Sequence, residues 1–357
     1  MRSYYSAVLS GRKRGLLAAA FKAVLSALSL LYWMAHKSRQ WAYSLGLLRR
    51  VRLPVPVVSV GNLTAGGTGK TPLVEHLARK LASQRLRTAI LARGYGKIDA
   101  DRDDESLALE FESVVRLTGA DRVASAKTAL GEFRPDAILL DDGFQHFRIR
   151  RDLDILAVDA TNPFSGGRLL PRGFLRERPA NAARADLIVL TRTDQIPQNA
   201  IDALREQLAV LSGGKPIVES IHRPVALRSL WNKRRHEVEW LRGRTVYGFC
   251  GIGNPEAFRK TLQGAGASVL KFRAFPDHHP YDSSDVRLLN LEAQEFMAEA
   301  FVTTEKDAHK LRAEGFEKPI FVLRVELEIT RGEDLLNAAL LEIVRARRPA
   351  ATEALPR

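Results

Sequence analysis

Apolar runs rich in β-branched residues recur along the chain, and segments of helical spacing fall between them. The first run, residues 57–60, enters a glycine-rich turn and is followed by an amphipathic stretch over 73–81. Further runs at Thr88–Ala92, 137–140, Leu153–Asp159 and 187–190 read as strands. This alternation predicts a doubly wound parallel sheet. A second, smaller α/β unit starts at Thr245 with a strand over 246–250, the turn Gly251-Ile252-Gly253-Asn254-Pro255 and a helix from Glu256. Asn254 suits the cap of that helix and Pro255 its first turn. Glu256 occupies the third glycine position of a dinucleotide fingerprint, which excludes that reading. A strand at 300–303 and a helix over 334–348, stopped by Pro349, complete the pattern. The expected division is an N-terminal helical region 1–50, a nucleotide-binding domain 51–223, a linker hairpin 224–244, a second α/β domain 245–348 and a disordered tail 349–357.

The turn after the first strand is Gly61-Asn62-Leu63-Thr64-Ala65-Gly66-Gly67-Thr68-Gly69-Lys70-Thr71-Pro72. A strand, a glycine-rich loop and a helix start make the setting of a phosphate-binding loop, in which backbone N–H groups and the helix dipole face an anion. Residues Thr64, Ala65, Gly66, Gly67, Thr68, Gly69, Lys70 and Thr71 are the expected ATP cradle. Lys70 would reach the β- and γ-phosphates and Thr71 would ligate Mg2+. Thr64 stands where the common pattern has glycine, and the tight Gly-Gly-Thr-Gly loop resembles those of dimerising P-loop ATPases and small-molecule kinases. The strand at 137–140 ends in Asp141-Asp142, the place where such folds keep a metal-holding acid.

Residues 16–35 are predominantly apolar, approaching the about 20 residues that cross a bilayer, with basic residues on both flanks. Positive charge at both ends argues against a clean single span, and no small-residue cleavage site marks a signal peptide. The expectation is a helix lying on the cytoplasmic leaflet, with Tyr32, Trp33, Trp41 and Tyr43 near the headgroups. Lys and Arg number 55 against 41 Asp and Glu, a net charge of +14, which favours anionic partners. No basic tract with interleaved aromatics follows, so nucleic acid is not an expected partner. The single cysteine, Cys250, excludes a disulfide framework.

Other stretches carry chemistry more weakly. Arg93-Gly94-Tyr95-Gly96 ends the second strand and could guide a polar substrate, and the loop 162–179 is rich in arginine, proline and glycine. Thr191-Arg192-Thr193-Asp194 faintly resembles the base-reading turn of GTPases. Asp277-His278-His279 offers a general base beside a carboxylate, with too few ligands nearby for a metal site.

In this order and spacing the motifs resemble the tetraacyldisaccharide 4'-kinase (lipid A 4'-kinase) family. They are the loop 61–72, Arg93-Gly94-Tyr95-Gly96, Asp141-Asp142-Gly143-Phe144-Gln145-His146, Leu170-Pro171-Arg172-Gly173, Arg176-Glu177, Gly251-Ile252-Gly253-Asn254-Pro255, Asp277-His278 and Thr304-Glu305-Lys306-Asp307. The resemblance implies a P-loop-type parallel sheet with a second α/β domain and a membrane-associated helix. It also implies Mg2+-dependent transfer of the ATP γ-phosphate to the 4'-hydroxyl of a disaccharide 1-phosphate lipid A precursor, at the cytoplasmic face of the bacterial inner membrane, by a monomer. Carried over residue by residue, it makes Asp104 and His278 a catalytic dyad working with Lys70. The family's Gly-Asp-Glu-Pro has become Asp103-Asp104-Glu105-Ser106 here, so Asp103 competes with Asp104. Thr71, Asp141, Asp142 and Glu177 would face the metal. Asn62, Arg93, Gly94, Tyr95, Gln145, His146, Arg172 and Arg176 would line the acceptor site. A membrane-recruited ATPase or GTPase switch is the alternative that the loop and the Asp-Asp strand end allow.

Overall fold

The computed structural model describes Val8, residues 13–93 and residues 112–347. Its centre is a parallel sheet in which β1 (Val57–Gly61) lies between β4 (Ala137–Asp141) and β5 (Leu153–Asp159). Beyond β4 come β2 (Thr88–Ala92) and the edge strand β3 (Val114–Thr118). Beyond β5 come β6 (Leu187–Thr191) and β7 (Ile217–Ser229). Strands β1, β2, β4, β5 and β6 are buried along their whole length. That burial on both faces is why they read as continuous apolar runs.

The described strands form one sheet across both lobes, because β7 pairs antiparallel with β12 (Ile320–Arg331). β12 continues in parallel to β11 (Ala300–Thr304), β9 (Thr245–Cys250) and β10 (Ser268–Ala274). The hairpin expected over 224–244 takes the form of the end of β7 folded back on the short β8 (Arg235–His236). The apolar pattern singled out neither β3 nor the long β7–β12 pair, since charged residues interrupt all three. β3 is an edge strand, and β7 and β12 are only partly covered where they pass between the lobes.

Helix α1 (Leu16–Ser44, 29 residues) outruns the apolar stretch that predicts it and leaves Leu16, Leu17, Val24, Leu30, Leu31 and Trp41 exposed. α2 (Lys70–Ser83) starts at the end of the glycine loop and buries Leu73, Val74, Leu77 and Leu81 under β1. α3 (Arg122–Thr128) precedes β4, and α4 (Gln198–Ser212) follows β6. α5 (Pro255–Gly264) follows β9; the Asn254 side chain accepts from Ala257 N at 3.1 Å, and proline opens the helix. α6 (Ser283–Glu295) and the short α7 (Glu305–Ala308) flank β11. α8 (Glu333–Arg347), which the sequence grouped with the second unit, packs Leu336, Leu340 and Val344 into the core of β1, β5 and α2. The chain therefore closes back on the first lobe. Leu340→Ala is expected to lower unfolding free energy by about 2–5 kcal/mol, read by urea denaturation, because Leu340 is fully buried there.

Candidate active site

The C-terminal ends of the parallel strands converge on the glycine loop, the edge at which open α/β sheets bind ligands. Gly66 has φ 140° and Gly69 φ 81°, conformations that side-chain-bearing residues avoid. At Gly69 a Cβ would also stand 2.7 Å from His222 Nε2. Gly69→Ala is expected to cost about 1–3 kcal/mol in urea denaturation and to abolish phosphoryl transfer, since the loop must shift to accept it.

The loop is held from several sides. Asn62 donates to Thr68 Oγ1 at 2.9 Å and to Thr64 Oγ1 at 3.4 Å. Ala65 N donates to Phe174 O at 2.6 Å, and Thr191 Oγ1 donates to Thr68 O at 3.0 Å. Asn62, fully buried, shapes the loop from beneath. The Thr191–Asp194 tetrad also serves the architecture. Arg192, buried, is paired with Asp159, and Gln195 reaches Ala257 O and Thr261 on α5.

Lys70 Nζ lies 3.5 Å from Asp142 Oδ1, and burial pulls its pKa below the ordinary lysine value against the opposing field of Asp142. Burial pushes the Asp142 carboxyl up, but Lys70 and Arg176 outweigh it and the net shift is downward. Asp142 sits at φ 57°, a left-handed conformation for a non-glycine residue. Arg176 Nη1 contacts both of its oxygens at 2.7 and 2.8 Å and Gln145 Oε1 at 3.2 Å. Thr71 Oγ1 and Arg116 Nη2 meet the same oxygen of Asp141, at 3.3 and 2.9 Å. Arg122 donates to the carbonyls of Asp141 and Asp142 at 2.6 and 3.0 Å. Sequence reasoning missed Arg116 and Arg122. The signals were a lone charge in the run Val114–Thr118 and an arginine directly after the helix-capping Asp121.

Lys70, Arg116, Arg122 and Arg176 thus surround two carboxylates, leaving a cationic surplus suited to a polyphosphate. Thr71 and Asp141 offer hard oxygen donors, a set that fits Mg2+. Glu177 is buried, and its oxygens accept from Gln145 (2.9 Å), Asn181 (2.5 Å) and Arg184 (2.8 and 3.0 Å). Fixed in this way, Glu177 orients Gln145, whose amide also donates to Asn62 O at 2.8 Å. His146 is partly buried, and desolvation with Arg122 and Arg151 nearby brings its pKa down to about 4, so it is neutral.

The basic loop meets α1 directly. Ser29 Oγ donates to Leu169 O and accepts from Arg172 N, at 3.0 and 3.1 Å, and the Arg178 guanidinium lies 4.3 Å from the Trp33 ring centre. Arg176, Trp33 and His36 line a cleft of about 250 Å3 between them. Arg93 is exposed at the end of β2, whereas Gly94, Tyr95, Asp103 and Asp104 lie outside the described residues.

The second lobe comes to the loop through residues 251–254. Gly253 is stacked on Gly66 and Gly67 so closely that a Cβ on it would strike the Gly67 nitrogen. Gly251 O accepts from His278 N at 3.1 Å, which ties the His278 loop to the same turn. The carboxylate next in sequence is otherwise engaged: Asp277 pairs with Lys306 at 2.8 Å. His279, the next residue, is paired with an acid, Asp285 at 2.7 Å. Among the described residues no cluster of His, Cys, Asp and Glu forms a metal site.

Fold and site together define a P-loop phosphotransferase with a second lobe seated on the loop. A family model for tetraacyldisaccharide-1-P 4'-kinase matches residues 21–345, and the chain belongs to that family. It is 39% identical over 335 residues to a tetraacyldisaccharide 4'-kinase of Syntrophus aciditrophicus, covering 87% of this chain and 90% of that one. It is 41% identical over 319 residues to one from Anaeromyxobacter dehalogenans, with 84% of each covered. Among solved structures it is similar to LpxK from Aquifex aeolicus in complex with ATP, with TM-score 0.67, 30% identity and coverage of 91% of this chain and 99% of that one. These relatives favour the kinase over a nucleotide-driven switch.

Proposed function

We propose that the chain transfers the γ-phosphate of ATP to the 4'-hydroxyl of a tetraacyldisaccharide 1-phosphate, with His278 as general base. The observation that carries this reading is the Lys70–Asp142–Arg176 cluster, which joins the phosphate loop to the basic loop on which α1 rests. Loop amides, Lys70 and Arg176 would hold the phosphates, and Thr71 with Asp141 would hold Mg2+. When bound, Mg–ATP supplies the phosphoryl group that is transferred.

Lys70 neutralises charge that builds on the transferred group, and its near-burial strengthens the effect by excluding water. Arg116 and Arg122 fix Asp141 and Asp142 so that those acids need not reorganise. His278 Nδ1 or Nε2 takes the hydroxyl proton, with Asp104 as its partner. Partial desolvation lowers the pKa of His278, and Lys306 adds to the effect, which favours the neutral imidazole with one ring nitrogen able to accept the proton.

The exposed apolar face of α1 and the adjoining basic loop support docking on the inner-membrane surface, with Arg172 of that loop available to the anionic headgroup region of the acceptor. The test is radiolabelled phosphate transfer from [γ-32P]ATP to a tetraacylated disaccharide 1-phosphate, with the product mapped by mass spectrometry. Label at the 4' position is expected. ATP hydrolysis without labelled lipid would refute the assignment.

A further inference from the structure

Asp159, at the C-terminal end of β5, is almost wholly buried, and its oxygens are nearly saturated. Oδ1 accepts from Thr161 N and Oγ1 at 3.0 and 2.7 Å, and Oδ2 accepts from Arg192. One further donor completes the set, and it comes from the other lobe: Asn254 Nδ2, 2.7 Å from Asp159 Oδ2 and 3.0 Å from Thr161 Oγ1. A buried carboxylate that loses a donor pays heavily, so this contact has a strong directional preference. Arg192 is held at φ 59°, left-handed for a non-glycine residue, by the same ion pair.

Asn254 is therefore fixed at both ends of its amide. Its oxygen caps α5, and its nitrogen is bound to the first lobe. The residue before it, Gly253, lies on the phosphate loop, and Gly251 of the same turn accepts from His278 N. From Asp159 to Asn254 to Gly251 to His278 the path is short and made of backbone and partly buried polar contacts.

We propose that Asn254 is a cross-lobe positioning residue, whose amide sets the 251–254 turn on the phosphate loop and thereby sets the distance from His278 to Lys70. The role of His278 in this statement rests on the reading under Proposed function; the contact between lobes does not. It also gives Arg192, in the tetrad that resembled a base-reading turn, a definite job as the charge that anchors Asp159.

The test uses Asn254→Asp and Asn254→Ser in the full-length protein. Aspartate and serine both cap helices about as well as asparagine, so α5 survives while the Nδ2 donor is lost. Aspartate also sets a second carboxylate against Asp159. Spin labels at Gln207→Cys on α4 and Arg287→Cys on α6, both exposed, report the separation of the lobes by pulsed electron resonance without nucleotide. Native Cys250 is buried, with its thiol pushed up to about 12, and stays unlabelled.

In Asn254→Asp the distance distribution is expected to broaden and lengthen, and kcat to fall by about 10²-fold with little change in the KM for ATP. Asn254→Ser should shift both readouts in the same direction by a smaller amount, about tenfold in kcat. Unchanged distances in both variants, or unchanged kcat in both, would overturn the proposal. A purely stabilising role predicts a lower melting temperature with normal kcat per folded molecule, which would also overturn it. His278→Ala separates the two readings. It should keep the parent distances, and if it also keeps parent turnover the base assignment fails while the distance test of Asn254 stands.

Discussion

Lys70→Ala is expected to reduce phosphoryl transfer by about 10³-fold or more at saturating ATP, with the fold intact. The size of the effect follows from where the ammonium sits. Its side chain is 13% exposed, at the end of a loop whose glycines bring backbone N–H groups together, so water cannot replace the lost charge effectively. The fold should survive because Asp142 is not orphaned: Arg176 contacts both of its oxygens, and Arg122 holds its carbonyl. Circular dichroism and a thermal melt check the second half of the expectation, and labelled-lipid formation checks the first. Undiminished transfer in a folded variant would remove the phosphate loop from the mechanism.

His278→Ala should cost about 10²-fold in kcat, the usual scale for a lost general base. A pH profile sharpens the test. A base works only when unprotonated, so activity falls as pH drops through its pKa. Partial desolvation, helped by Lys306, lowers that pKa from 6.5, so the acid limb of kcat/KM should lie below 6.5 and be missing from the alanine variant. Lys306→Met removes a positive neighbour and should move the limb toward higher pH. An acid limb that persists unchanged in His278→Ala would assign the titration to another group.

Much of the site was legible because its chemistry is local in sequence. Strand, glycine turn and helix start adjoin one another, so Gly66 to Thr71 announce a phosphate cradle before any packing is known. Asp141-Asp142 were readable for a similar reason, since a fully buried strand has to end where charge begins. Asn254 was legible as a cap, an interaction that spans only three residues. Roles that depend on distant partners were not. No local pattern announces that Arg184, Asn181 and Gln145 all bond to the Glu177 carboxylate. Nothing around Asn62 in the sequence tells that it is fully buried under the loop. Arg116 and Arg122 carried no motif at all, yet they reach the two aspartates across the sheet edge.

Taken alone, the sequence determined the α/β class, the places of most core strands along the chain, the phosphate loop and the apolar helix, because each rests on periodicity or on contacts a few residues apart. Tertiary structure decided the rest. The antiparallel pairing of β7 with β12, the return of α8 to the first lobe and the seating of Gly253 on Gly67 all join residues far apart along the chain. The physical reason is that burial and hydrogen-bond saturation are properties of a whole neighbourhood. Whether a given carboxylate faces a metal, a guanidinium or an amide is fixed only when that neighbourhood has assembled.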